Sequence, residues 1–166
     1  MPPDPPSASS LMAHRNLMVG PCAHGAGLFA TAAFSPGELL VRLAGPLLTL
    51  TEVRQKGPLA GNVLQIGVDR YLDLESPGRY LNHHCQPNAG IWNDVELRAL
   101  QPIRAGDEIC FDYSTTIGDG WTMACRCGGP DCRESIVAWH RLPAPIQDRY
   151  RLLGCVQRFL VADVGA

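Results

Sequence analysis

The chain has 166 residues, a formal charge of −2 and 46% hydrophobic residues, enough for one domain with a real core. Its 17 Gly and 14 Pro call for many turns between short elements, below the level of a low-complexity chain. No basic block offers a footprint for nucleic acid, and no apolar run approaches the ~20 residues of a membrane span.

In chain order, residues 1–14 are Pro/Ser-rich and read as a flexible tail. They have neither the charged nor the apolar region of a signal peptide, so a soluble, intracellular protein is expected. Strand-like segments then follow at short intervals: Leu17–Val19, Leu28–Ala30, Glu38–Leu43, Leu47–Leu50, Val63–Val68, Tyr71–Leu74, Gly90–Trp92, Glu96–Ala99 and Glu108–Phe111. Ser35-Pro36-Gly37, Gly57-Pro58, Ser76-Pro77-Gly78 and Ala105-Gly106-Asp107 separate them as turns. Two helices are predicted. One is Thr51–Lys56 with Thr51 as N-cap. The other is Pro145–Leu153, with Pro in its first turn and Ile146, Tyr150 and Leu153 on one face. Residues 33–40 and 101–109 share a phrase: an apolar residue, a Gly turn, an acid and a return strand. They read as two similar hairpin turns. The fold class is mostly β, with short strands and long loops.

Seven cysteines are present, and Cys125, Cys127 and Cys132 form C-x-C-x4-C around a Gly-Gly-Pro turn. Three thiols so close suggest a metal and a reducing compartment. A closed tetrahedral zinc site needs a fourth ligand. Cys110 lies in a predicted strand, and Cys22 and Cys155 are isolated. Cys85 sits in the polar loop Asn82-His83-His84-Cys85-Gln86-Pro87-Asn88, where turn residues leave the backbone free to aim a sulfur. Two other readings are free thiols in a Gly-rich loop and a nucleophilic Cys85 with His83 as base.

Four segments, in order, resemble the SET-domain family of protein-lysine methyltransferases. His24-Gly25-Ala26-Gly27-Leu28-Phe29-Ala30 resembles its G-x-G-L-F-A turn. Arg79 to Asn88 resembles R-F-I-N-H-S-C-x-P-N. Ala99 to Tyr113 resembles A-x-x-x-I-x-x-G-E-E-L-x-F-D-Y. Cys125 to Cys132 resembles the post-SET C-x-C-x4-C. The compact form is similar to stand-alone SET proteins of bacterial type, which implies the cytoplasm, or the nucleus if the source is eukaryotic. The resemblance implies a β-clip fold of small curved sheets with a pseudoknot and few short helices. It divides the chain into a SET domain (15–117), a post-SET zinc segment (118–134) and a C-terminal extension (135–166), predicted helical and packed on the core.

The resemblance also implies transfer of a methyl group from S-adenosyl-L-methionine to a lysine ε-amine of a protein substrate, a histone or another basic protein. No direct nucleic-acid or membrane partner is implied. Tyr113 matches the catalytic tyrosine; by itself it would read as an amphipathic core tyrosine. Asn82 and His83 match the cofactor pair, Arg79 a residue near the same ligand, and Ala26, Gly27 and Leu28 a backbone cradle for its methionine end. His84 reads as a structural histidine. Cys85 joins Cys125, Cys127 and Cys132 as the ligands of a structural Zn2+. Phe111 and Leu43 match substrate-channel positions. Phe111 leaves room for a methylated amine, and Leu43 replaces a tyrosine that many members carry. Arg42 stands where they have an acid, and Asn62–Gly67 lacks a tyrosine that often helps hold the cofactor. The tail after Cys132, with Trp139, Leu142, Ile146, Tyr150 and Phe159, reads as a lid over the lysine channel or as a cover for the core. A rival from another class is a zinc-stabilised protein-binding module that has lost catalysis.

Overall fold

A computed structural model describes residues 15–162; the tail assigned to residues 1–14 lies outside them. Four small sheets account for the strands. β1 (Leu17–Cys22), β2 (Gly25–Ala30), β10 (Glu108–Phe111) and β7 (Asn82–His83) form one, in that order. β3 (Leu39–Arg42), β9 (Glu96–Ala99) and β8 (Ala89–Trp92) form the second, and β4 (Leu47–Leu48), β6 (Arg70–Asp73) and β5 (Val63–Gly67) the third. A two-stranded ribbon of β11 (Met123–Ala124) and β12 (Ser135–Ile136) is the fourth. Among the described residues no helix is long and apolar enough to cross a membrane.

One core joins the three larger sheets. Leu28 and Ala30, Leu40 and Val41, Ile91, Leu97 and Ile109 are all nearly or wholly buried in it. Each fully buried Leu or Ile contributes roughly 1.5–3 kcal/mol, so the strands are short but the core is continuous.

The shared phrase has a structural meaning that hairpin turns do not describe. Phe34 and Ile103 form an isolated antiparallel bridge, each N–H bonding the other's carbonyl. Beyond it the two corners repeat each other. Gly37 N–H donates to Ala99 O and Ala99 N–H to Glu38 O, while Gly106 N–H donates to Ala30 O and Ala30 N–H to Asp107 O. Glu38 accepts from Ser35 N–H, and Asp107 from Arg104 N–H. Gly37 and Gly106 both have positive φ, +83° and +93°, a conformation that glycine adopts without a Cβ clash. The two turns are therefore corners of one two-fold arrangement, bridged to each other rather than closing their own hairpins.

Thr49, not Thr51, caps the first helix, α1 (Leu50–Gln55). The reason is the position of Glu52. Thr49 Oγ1 accepts from Glu52 N–H and the Glu52 carboxylate accepts from Thr49 N–H, a capping box that requires an acid three residues on. A cap at Thr51 would put Arg54 there. The same cap ends β4 at Leu48. Just before it, Gly45 lets the chain touch β6, since a Cβ there would lie 1.9 Å from Asp73 O. Gly45→Ala is expected to cost roughly 2–4 kcal/mol, read as a lowered urea midpoint.

The C-terminal part builds a second cluster. α2 (Ala144–Leu153) starts with Pro145 in its first turn and stops at Gly154, φ +75°. Tyr150 turns inward with Trp139, Leu142, Cys155 and Val156, against Trp92 and Leu100. Leu153 is 38% exposed, so Ile146 and Tyr150, rather than all three predicted positions, form the inner face. α3 (Arg158–Val161) follows, and Phe159 and Leu160 lie against Gly118.

Candidate active site and cysteine cluster

β7 brings the polar loop to the site. It is two residues long and pairs in parallel with β10, Asn82 opposite Cys110 and His83 opposite Phe111. His84 N–H continues the ladder to Phe111 O. Asn88 then clamps the same strand from its side chain, donating to Glu108 O and accepting from Cys110 N–H. Both ends of the loop are thus tied to β10, and Tyr113 follows two residues after that strand ends.

Asn82 Nδ2 donates to Ala26 O (3.0 Å) and to Glu108 Oε1 (2.8 Å). These bonds leave its Oδ1 as the acceptor available to a ligand. Gly27 is held between them, because a Cβ there would lie 2.5 Å from Glu108 Oε1. Leu28 is wholly buried in the core, backbone included, and Ala26, Gly27 and Leu28 line neither of the two cavities beside Tyr113.

His83 is buried, and that burial is the main reason its pKa falls to about 4, against an opposing pull from Asp112. It is therefore a neutral imidazole. Nδ1 accepts from Tyr113 N–H (3.1 Å), so the proton sits on Nε2, which faces Cys85 Sγ at 3.4 Å. The 3.5 Å approach of Asp112 to Nδ1 is consequently not an ion pair. One histidine spans the tyrosine segment and the cysteine cluster.

The sulfurs of Cys85, Cys125, Cys127 and Cys132 all lie within 4.8 Å of one another, with Cys85 and Cys125 at 3.6 Å. A Zn–S length of about 2.3 Å gives tetrahedral edges of about 3.8 Å, so four thiols in this arrangement fit a tetrahedral zinc. The loop is shaped for it. Gly128 has φ +72°, Cys125 N–H donates to Glu134 O and Cys132 N–H to Gly129 O. Burial opposes ionisation of Cys127, yet backbone N–H groups of Cys85 and Gly129 and the neighbouring thiols bring it down to about 6. Cys22, Cys110 and Cys155 stand outside the group. His84 has a structural place, its Nδ1 accepting from Gln86 N–H and its ring against Gly129.

Two cavities meet at Tyr113. The larger, about 400 Å³, is lined by Asn62, Gln65, Tyr71, Arg79, Leu81, Phe111 and Trp121 among others. The smaller, about 340 Å³, is lined by Asn82 and His83 on one side and by Met123, Ala124, Arg126 and Cys127 of the cysteine loop on the other. Tyr113 is common to both linings. Its hydroxyl donates to Leu81 O at 2.5 Å, and its ring lies 4.9 Å from Phe111. Burial, then Cys110 and Glu108, push its pKa well above that of an ordinary phenol, so it remains protonated.

Not every expected residue reaches these cavities. Arg79 is on the larger one, apart from Asn82 and His83. Leu43 lines neither; it is 4% exposed in the main core and closes on Gly78. Its backbone continues past β3 to bond Val95 O, which turns the side chain inward. Of the tail after Cys132, Ile136 lines the smaller cavity, while among the described residues Trp139, Leu142 and Tyr150 pack in the second core cluster and line neither cavity.

A family model described as SET domain matches residues 25–114. The chain belongs to the SET-domain family. It is 32% identical over 126 residues to "Histone-lysine N-methyltransferase, H3 lysine-36 specific" of Mus musculus and of Homo sapiens, a match covering 65% of this chain and 5% of each relative. It is 28% identical over 127 residues to "Histone-lysine N-methyltransferase set-2" of Caenorhabditis elegans, covering 66% of this chain and 8% of that protein. The chain thus spans less than a tenth of the length of these relatives. The SET match ends at residue 114, just after Tyr113, and the cysteine loop lies beyond it.

A buried group that sequence reasoning passed over lies beside Tyr113. Asp112 is 1% exposed and accepts from Arg133 (2.8 Å), Tyr150 (2.9 Å) and Ser114 N–H (3.1 Å). Burial and then Asp112 push the Tyr150 pKa far up, which keeps it a donor. The available signal was an acid fixed between two core aromatics, which requires buried partners.

Proposed function

We propose that this chain is an S-adenosyl-L-methionine-dependent protein-lysine N-methyltransferase. The observation that carries the reading is Tyr113, one phenol shared by two cavities, as in-line transfer between separate donor and acceptor sites requires. The smaller cavity would take the cofactor, with Asn82 Oδ1 and His83 on its polar wall; the Ala26-Gly27-Leu28 turn, which lines neither cavity, would stand behind Asn82, whose Nδ2 holds Ala26 O. The larger would take the lysine, with Phe111 beside the amine and Arg79 further along its wall. Bound S-adenosylmethionine supplies an electrophilic methyl on a sulfonium, so no protein nucleophile is needed.

The side chains would then do three things. Apolar neighbours such as Leu81 and Phe111 disfavour the ammonium and help the lysine lose its proton. The Tyr113 hydroxyl, already donating to Leu81 O, accepts an N–H of the amine and turns the nitrogen lone pair towards the methyl. As a neutral phenol it orients and does not abstract. Cys85, Cys125, Cys127 and Cys132 would hold a structural zinc that keeps one wall of the cofactor cavity in place. In this reading the SET domain spans 15–117, the zinc segment 118–134 and the extension 135–166. The substrate would be a histone or another basic protein, a choice supported by the names of the relatives.

Isotopically labelled cofactor, incubated with the protein and core histones or a cell lysate, tests the reading. Label should enter a protein band and disappear in Tyr113→Phe. Absence of label from every band, with zinc bound, would instead favour a binding module. Product multiplicity tests Phe111 separately. Wild type is expected to add more than one methyl, and Phe111→Tyr should slow the second addition roughly tenfold, since one added group in a tight pocket discriminates on that scale. Mass spectra of a lysine peptide give both results.

A further inference from the structure

We infer that Arg133 and Tyr150 are positioning residues for the reaction, clamping the Asp112 carboxylate and through it holding Tyr113 and His83 in register with the cysteine cluster. The inference rests on the methyl transfer proposed above. Asp112 stands between Phe111 and Tyr113, so its backbone sets where both rings point. Its Oδ1 takes Arg133 (2.8 Å) and Ser114 N–H (3.1 Å), and its Oδ2 takes Tyr150 (2.9 Å).

The two clamps come from separate elements. Arg133 follows Cys132 directly; its own N–H reaches Cys85 Sγ and its guanidinium reaches Cys85 O, both at 3.4 Å. Tyr150 comes from α2, held inward by Trp139, Leu142 and Cys155. On the far side of Asp112, Tyr113 N–H is bonded to His83 Nδ1, and His83 Nε2 returns to Cys85. The contacts form a closed circuit: Cys85, Arg133, Asp112, Tyr113, His83 and back to Cys85. A buried ion pair seldom adds net stability over apolar residues of the same volume. Its fixed directions instead limit the orientations open to the segment carrying it. Tyr150 thereby acts on the tyrosine segment without lining either cavity.

Two mild variants test this without leaving a bare buried charge. Tyr150→Phe removes one hydroxyl and keeps the ring packed. Arg133→Lys keeps the charge and loses the fork. Tyr150→Phe should lower kcat roughly tenfold, the scale of one hydrogen bond to a charged group, with KM for cofactor and for peptide within about twofold. Amide exchange at Tyr113 and Ser114 should quicken about tenfold while amides of β8 and β9 keep their protection. Arg133→Lys should do the same and release zinc to a chelator faster than wild type, with Arg133→Met faster still.

A uniform rise in exchange, with kcat unchanged well below the unfolding temperature, would make the pair a plain structural pin and overturn the inference. Unchanged local exchange and unchanged zinc release would overturn it too. If the wild type transfers no methyl, the proposed reaction falls, and the exchange and chelator measurements still decide the coupling.

Discussion

Replacing Tyr113 by phenylalanine is expected to reduce kcat by on the order of 10²–10³, the usual cost of losing one preorganised polar group at a reacting centre. The substitution removes one oxygen. The ring remains packed against Phe111 and the cavities keep their walls. What is lost is the acceptor for the amine, together with the bond to Leu81 O. The nitrogen lone pair is then no longer aimed, and Leu81 O is left without its donor. Because His83 bonds the Tyr113 backbone and not its hydroxyl, the cofactor wall should survive. Cofactor affinity by calorimetry should therefore stay within about threefold while single-turnover transfer collapses. Equal losses in cofactor affinity and rate would mean that Tyr113 shapes the cavity rather than orienting the amine.

Cys85→Ser is expected to remove the zinc and to weaken cofactor binding along with it. Loss of an outer-shell partner alone costs roughly 10–100-fold in metal affinity, and loss of a thiolate ligand should exceed that. The link to the cofactor is geometric. Met123, Ala124, Arg126 and Cys127 form one wall of the smaller cavity, and they belong to the loop that Cys125, Cys127 and Cys132 would fold around the metal. Cys85 anchors that loop to the opposite wall, two residues from His83, whose Nε2 faces its sulfur. Releasing the anchor should let the wall move and lower cofactor affinity about tenfold or more, the metal's contribution being part of the folding energy of the loop. Zinc content by elemental analysis and cofactor titration of the same sample check both. Full cofactor affinity in the zinc-free variant would show that the two walls are independent.

Much of the site is written locally. Asn82, His83 and Cys85 lie within one short loop, and Cys125, Cys127 and Cys132 within another, so their residue types and spacing carry chemistry before any fold is known. The strands around them were legible for a similar reason: apolar runs bounded by Pro-Gly and Gly-Asp turns leave little choice of period. Short elements were harder to read. β7 has two residues, and no propensity argument finds a strand that exists only because β10 offers it a parallel edge. The cap at Thr49 is legible locally, since Glu52 three residues on completes its capping box, whereas Thr51 has Arg54 in that place.

The amino-acid sequence by itself determined the family, the mostly β architecture and the residue types of the tyrosine, the Asn82–Asn88 loop and the four thiols, because each depends on neighbours along the chain. The tertiary structure decided what depends on groups far apart. It put Leu43 in the core and Arg79 on the larger cavity, since their directions follow from how β3 and the Gly78 turn pack. It bridged the two Gly corners to each other. It also gathered Arg133 and Tyr150 onto Asp112, across 21 and 38 residues of chain. A buried carboxylate needs partners, but no local pattern says which distant donors will meet it; only the packing of α2 and the cysteine loop against β10 does.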